Sequence, residues 1–348
     1  MGLFSTAELN SIHRILIVKP SSLGDIIHAF PALEILSRYF VQAEFDFLVN
    51  PSFAGILDFA PVPIRKRILF ERKKLGSLSS TLPETLRLIK AIRSENYDLV
   101  IDFQGLLRSA FFAGAANAKY GCVGFAAPRE KASTLFYRHK ITVNALHAVE
   151  RNVELANLLC GSDFTTPVCS IPQREYNKAV LDTLPEKFVL MLPGARWESK
   201  RFPELLFADI ARILSKNGIA SVLAGSRDEI PHCEKIVSAV KEDPNIISLA
   251  GKTTLADLFE LTRRASAVVC NDSGPLHIAS ILNKEIFAFF GATKSQKTGP
   301  WNKNAHIYRL DIPCSGCLKR NCPLDDILCH KLDANKIAGD IINMENQQ

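Results

Sequence analysis

Along the whole chain, short apolar runs alternate with segments whose apolar residues recur at helical spacing, and no other feature restricts the fold as much. Residues 14–18, 45–49, 98–103, 188–192, 221–224, 267–270 and 285–290 are apolar runs of strand length. After the first run, Ile26, Phe30, Leu33, Leu36 and Phe40 mark a helix, and residues 82–92, 147–159, 204–217 and 255–264 mark others. Gly218 closes the segment before it as a C-cap. Strands that alternate with helices form mainly parallel sheets covered on both faces. A chain of 348 residues is too long for one ordinary core, and the pattern runs twice. The polar stretch 161–173, with two prolines, is the expected linker. Two α/β domains with mainly parallel sheets are expected, residues 1–165 and 166–348, with a ligand cleft between them.

Composition excludes several classes. A hydrophobic fraction of 47% and a charged fraction of 22% suit a soluble globular protein. No run reaches the ~18 apolar residues of a membrane span, and no signal-peptide core follows the start. Met1-Gly2-Leu3-Phe4-Ser5-Thr6 fits the myristoylation pattern, but a polar leader before the first strand explains it more simply. The net charge of +6 is mild and no nucleic-acid module is recognisable, so a nucleic-acid partner is not expected. The charge is uneven: Arg65, Lys66, Arg67, Arg72, Lys73 and Lys74 crowd one stretch against Glu71. That stretch suits a solvated loop, or a patch toward an acidic substrate or an anionic membrane. Five scattered cysteines read as buried, reduced thiols.

Three strand-to-helix turns carry the chemistry, because in an open α/β sheet such turns lie where ligands bind. In Lys19-Pro20-Ser21-Ser22-Leu23-Gly24-Asp25, a glycine that permits close backbone approach precedes a carboxylate. Asp25 suits a helix cap as well as a catalytic group. Residues 193–203 bring Arg196, Lys200 and Arg201 to the start of a helix, a ready anion site, although an ordinary basic loop has the same composition. In Asn271-Asp272-Ser273-Gly274-Pro275, Pro275 fits the first helical position and Ser273 or Gly274 the N-cap. The first-turn amides can then meet a phosphate or sugar oxygen, with Asp272 within reach of sugar hydroxyls. His277 on that turn is, taken alone, more often structural.

Together these turns resemble those of glycosyltransferase family 9, the lipopolysaccharide heptosyltransferases. The resemblance rests on residues 18–25 with His28 and Pro31, on residues 193–203 with Lys200, and on Asp272-Ser273-Gly274 with His277. Ile101-Asp102-Phe103-Gln104-Gly105-Leu106 is similar to the family's I-D-x-Q-G-L segment. Arg129-Glu130 before Leu135-Phe136-Tyr137, and His147-Ala148-Val149-Glu150-Arg151, look most like the heptosyltransferase I branch. The resemblance implies an α/β GT-B fold, with two Rossmann-like domains facing each other across a cleft. The first would hold the acceptor and the second the nucleotide-sugar. It implies inverting transfer of L-glycero-D-manno-heptose from ADP-heptose to the Kdo region of lipid A, with the protein cytoplasmic and peripheral on the inner membrane. No cofactor is implied. Asp25 matches the family's catalytic carboxylate. Ser22, Gly24, Ala195, Arg196, Lys200, Asp272, Ser273, Gly274 and His277 match the donor and phosphate site. Arg129, His147 and Arg151 match positions facing the anionic acceptor. These roles fit the chemistry. A single displacement needs a base on the acceptor hydroxyl, the leaving diphosphate needs positive charge, and groups on two domains need closure.

The sequence departs from the family pattern at Ser273, where Thr is common, and at Ala195-Arg196, where small hydroxyl residues are common. Ser248 stands about where an acidic residue for the ribose is expected. Cys314, Cys317, Cys322 and Cys329 form C-x2-C-x4-C-x6-C, which suits a structural zinc or a metal-free, redox-labile cluster. Similar tails occur in the family, more in its heptosyltransferase II branch. A nucleotide-dependent oxidoreductase would need G-x-G-x-x-G after a strand, and none is present. A non-catalytic nucleotide-sugar binder, and a family member using another sugar or acceptor position, stay as alternatives.

Overall fold

The computed structural model describes residues 2–71, 81–166, 168–241, 243–324 and 326–347, and the chain divides into two compact units between Pro172 and Gln173. Between Gly161 and Lys178 the described residues carry neither helix nor strand. No described helix is long and apolar enough to cross a membrane.

The first unit is built on β1 (Arg14–Val18), β2 (Glu44–Val49), β3 (Ile64–Leu69), β4 (Leu99–Asp102), β5 (Cys122–Phe125) and β6 (His139–Ile141). All pair in parallel, in the order β3-β2-β1-β4-β5-β6. Helices α1 (Leu23–Ile27), α2 (Phe30–Tyr39), α3 (Thr81–Arg93), α4 (Leu107–Ala115) and α5 (Ala148–Cys160) connect them. The second unit repeats the plan with β7 (Phe188–Leu192), β8 (Ala220–Leu223), β9 (Ile246–Ser248), β10 (Ala267–Asn271), β11 (Glu285–Phe289) and β12 (Ala305–Tyr308). Its parallel order is β12-β11-β10-β7-β8-β9. The helices are α6 (Glu204–Lys216), α7 (Ile230–Ala239), α8 (Leu255–Arg264), α9 (Gly274–Ile281) and α10 (Ala334–Glu345).

β7 shows why such strands read as unbroken apolar runs. Val189 and Met191 join Phe207, Ile210 and Ile341 on one face, while Leu190 and Leu192 join Leu261 and Leu276 on the other. In both units the strand order reverses between the first and fourth strands, and at such a switch point the carboxyl ends of the strands open a crevice. The turns after β1 and β4, and those after β7 and β10, lie at these two points.

Two expectations need correction. The helix after β1 is two helices, because the chain breaks at His28 and Ala29 and restarts with Pro31 in the first turn of α2. There its missing N–H has no helical partner to lose. The basic stretch begins as strand β3, and its cations are neutralised inside the unit. Arg65 bonds Asp46 at 2.5 Å and Glu95 at 2.6 Å, Lys66 pairs with Glu95, and Arg67 pairs with Asp58. In this strand Arg65, Lys66 and Arg67 thus each have a carboxylate partner, and Arg72, Lys73 and Lys74 lie outside the described residues.

Candidate active site

At the first switch point the turns after β1 and β4 are joined. Phe103 N–H donates to the Val18 carbonyl at 3.1 Å, and Lys19 Nζ donates to the Phe103 carbonyl at 2.7 Å. Lys19 is buried, and burial pulls the pKa of its ammonium down although Asp25 and Asp102 oppose this. Asp25 is the third residue of α1 rather than its N-cap. Its Oδ2 accepts from the backbone N–H of Ser22 at 2.8 Å and from Ser22 Oγ at 3.0 Å, so it closes the helix start from inside. Burial raises the pKa of Asp25, but the charges of Lys19 and Arg129 and the bonds from Ser22 outweigh it, holding the carboxyl below the ordinary range. Asp25 is therefore ionised at neutral pH and can only accept a proton.

Asp102 closes β4 and is fully buried. Tyr137 donates to its Oδ2 at 2.7 Å and Ser109 at 3.2 Å, while the Gln104 N–H donates to Oδ1 at 2.7 Å. Burial lifts its pKa against those bonds. This network fixes the Gln104 turn, although the Gln104 side chain, also buried, leaves Oε1 without a hydrogen-bond partner.

The residues expected to face the acceptor divide. Arg129 is exposed, and its charge acts on Asp25. His147 is buried as the N-cap of α5, with Nδ1 accepting from the Val149 N–H at 3.3 Å. Arg151 donates to the carbonyls of Ala145 and Ala127, each at 3.3 Å, and lies 5.1 Å over the Phe125 ring. Ser22 is engaged with Asp25, and Gly24 is buried inside α1.

At the second switch point Asn271 Nδ2 donates to the Pro193 carbonyl at 2.6 Å, tying the two turns together. Lys200 Nζ lies 2.7 Å from Asp272 Oδ2, and Thr293 Oγ1 donates to the same oxygen at 2.5 Å. Asp272, expected within reach of sugar hydroxyls, is the counter-ion of Lys200. A carboxylate only 4% exposed needs such a partner. The Lys200 ammonium also sits 4.9 Å from the Trp197 ring, which Arg320 approaches to 5.5 Å. Ser273 stands at the N-cap of α9, and its hydroxyl is buried without a partner. Gly274 opens that helix, and His277 is buried along it. Arg196 is exposed, whereas Ala195 is buried and its carbonyl accepts from Arg201 Nη2 at 3.0 Å.

Thr293, Trp197, Arg320 and Glu229 escaped the sequence. Glu229 follows β8, and its Oε2 accepts from the Ser226 N–H at 2.7 Å. A Cβ on Gly194 would fall 1.7 Å from its Oε1, so a side chain at residue 194 would displace the Glu229 carboxylate. Glu229 is thus a carboxylate at this edge, where Ser248 offers none. The legible signal was Gly225 at a strand end with a glutamate four residues on.

Cys314, Cys317, Cys322 and Cys329 line one small cavity of about 70 Å³. Among the described residues, no group of three His, Cys, Asp or Glu side chains stands together in metal-binding geometry. The cysteine segment braces the turn after β7. Ser199 donates from its N–H to the Arg320 carbonyl at 3.1 Å and from Oγ to the Lys319 carbonyl at 2.6 Å. Leu318 N–H donates to the Ala292 carbonyl, next to Thr293, at 2.7 Å. The five scattered cysteines are buried and form no disulfide.

Residues 85–328 match the model of glycosyltransferase family 9 (heptosyltransferase). Lipopolysaccharide heptosyltransferase 1 of Pseudomonas aeruginosa is 29% identical over 315 residues, covering 89% of this chain and 87% of that protein. Lipooligosaccharide heptosyltransferase 2 of Haemophilus influenzae is 29% identical over 325 residues, covering 85% and 88%. The solved structure of E. coli heptosyltransferase WaaC with ADP-2-deoxy-2-fluoro heptose aligns with a TM-score of 0.72 at 26% identity, covering 96% of this chain and 99% of that one.

Proposed function

Because the chain belongs to glycosyltransferase family 9, the heptosyltransferases, we propose that it transfers L-glycero-D-manno-heptose, with inversion, from ADP-heptose to the Kdo region of a lipid A acceptor at the cytoplasmic face of the inner membrane. One observation carries this reading: each switch point holds one half of the required chemistry. The first has an ionised carboxylate, and the second has a lysine beside a buried hydroxyl and a helix start. Asp25 takes the proton of the acceptor hydroxyl as that oxygen attacks the anomeric carbon. Negative charge grows on the leaving diphosphate, where Lys200, the Ser273 hydroxyl and the first amides of α9 stabilise it. Glu229, after the second strand of its unit, has the place from which an acidic residue binds ribose in dinucleotide-binding sheets. Arg129 receives the acceptor's carboxylates beside Asp25.

The test is ADP release and product analysis with ADP-heptose and Kdo-lipid A, comparing wild type with Asp25→Asn. Wild type should transfer heptose with inversion, and the variant should lose about 10²–10⁴ in rate while still binding ADP. Full activity in the variant removes Asp25 as the base. The relatives of the two heptosyltransferase kinds are equally similar at 29%, so an acceptor already bearing one heptose belongs in the same assay. Transfer to that acceptor alone would move the assignment to the second heptose.

A further inference from the structure

A cavity of about 610 Å³ opens beside the Asp25 turn, lined entirely from the first unit. Ser21 from the turn after β1 and Gln104, Arg108, Ser109 and Glu130 at and after the turn following β4 make part of its wall polar, while Phe70, Leu107, Phe111, Phe112 and Phe136 give it a large apolar face. Its volume lies in the range of small-molecule sites, about 300–1,000 Å³.

Two independent observations point to a ligand. Gln104 is 2% exposed, and its Oε1 has no hydrogen-bond partner. A buried acceptor left unmade is costly, and in folded proteins it calls for a partner, an ordered water or a bound molecule among them. The apolar wall also continues onto the surface. Leu107 and Phe111 are 43% and 37% exposed, and on α3 Leu82 and Leu86, within one turn of the lining residue Thr85, are 66% and 58% exposed. Apolar surface gathered beside a pocket marks a binding site. A bare saccharide would satisfy Gln104 but leave the aromatic wall unused, and a hydrocarbon would do the reverse. An amphiphile with a hydroxylated head and an apolar chain uses both.

We propose that this cavity receives one acyl chain of the lipid acceptor, with Gln104 accepting a hydrogen bond from a hydroxyl of the adjoining sugar. The identity of the amphiphile rests on the acceptor assigned above, whereas the chemistry of the cavity does not. Dansyl-labelled undecanoic acid tests the cavity alone. Wild type should bind it saturably at one site. Thr85→Trp, which narrows the cavity from α3, and Phe111→Asp should each weaken it about tenfold or more, with ADP binding unchanged as the measure of an intact fold. Transfer assays then compare an acylated acceptor with its chemically deacylated form. Deacylation should raise the acceptor KM of wild type about tenfold and leave that of Phe111→Asp unchanged. Non-saturable probe binding, undiminished binding in both variants, or equal KM values for the two acceptors in wild type would overturn the proposal. Absence of transfer to either acceptor would instead overturn the assigned reaction, with the probe titration still deciding the cavity.

Discussion

Thr293→Val tests whether the ion pair of the second unit is an integral part of its fold. Thr293 and Asp272 are 5% and 4% exposed, and the hydroxyl donates to the carboxylate at 2.5 Å. Valine keeps the branched shape and deletes only the donor. A hydrogen bond to a charged group contributes about 1.5–3 kcal/mol. Lys200 still neutralises the carboxylate at 2.7 Å, so the loss should stay in that range, below the ~3–5 kcal/mol of a broken buried pair. In a domain of this size each kcal/mol moves Tm by about 2–4 °C, which makes the expected drop roughly 3–12 °C. Asp272→Asn removes the charge itself, strands Lys200, and should cost about 3 kcal/mol or more. Urea and thermal unfolding measure both, and calorimetric titration with ADP reports whether the turn still presents Lys200. Wild-type stability in Thr293→Val, or an Asp272→Asn variant no less stable than Thr293→Val, would refute the reasoning.

Other predictions concern the neighbouring groups. Lys19→Met removes a cation that holds the Asp25 carboxyl low, so the acid limb of kcat/KM should move to higher pH; an unmoved limb would show that Lys19 does not act on Asp25. The same depressed pKa contributes stability above the unfolded aspartate value of about 3.9 that disappears as pH falls through the native one, and acid unfolding of Lys19→Met should begin at higher pH. Gly194→Ala drives a methyl to within 1.7 Å of Glu229 Oε1. It should cost about 1–3 kcal/mol and raise the KM for ADP-heptose more than it lowers kcat. Tyr137→Phe deletes the 2.7 Å bond to buried Asp102, a loss of about 1.5–3 kcal/mol in urea unfolding.

What was legible in the sequence follows from where each signal is generated. β1, β7 and β10 are buried on both faces over residues 15–18, 188–192 and 267–270, which are apolar without interruption. β3 lies at a sheet edge and reads Ile-Arg-Lys-Arg-Ile-Leu, a pattern in which charge conceals the strand. The carboxylates that neutralise those cations, Asp46, Asp58 and Glu95, come from three other segments and only packing reveals them. β6 is three residues long, too short to show a period. Asp25 and Lys200 could be found because a strand-to-helix turn announces itself locally. Thr293 could not, since it lies 21 residues from Asp272 and reaches it only after β10 and β11 pair. Lys19 looks like any cation in a loop until the β4 turn is laid over it. His147 and Arg151 stand out as polar groups near a helix start, but the chain gives no sign that neighbouring amides and carbonyls already engage them.

The Lys200–Asp272 pair has a consequence for selectivity. A lysine that already holds a carboxylate at 2.7 Å, itself steadied by a threonine, is not an open sink for any passing anion. Binding there is an exchange of one negative partner for another, so its free energy is a difference between two attractions. Inorganic phosphate has only charge to offer and gains little over the resident group. In the proposed reaction a nucleoside diphosphate would bring further contacts to tip the exchange, and the resident carboxylate would set a threshold that charge alone does not cross.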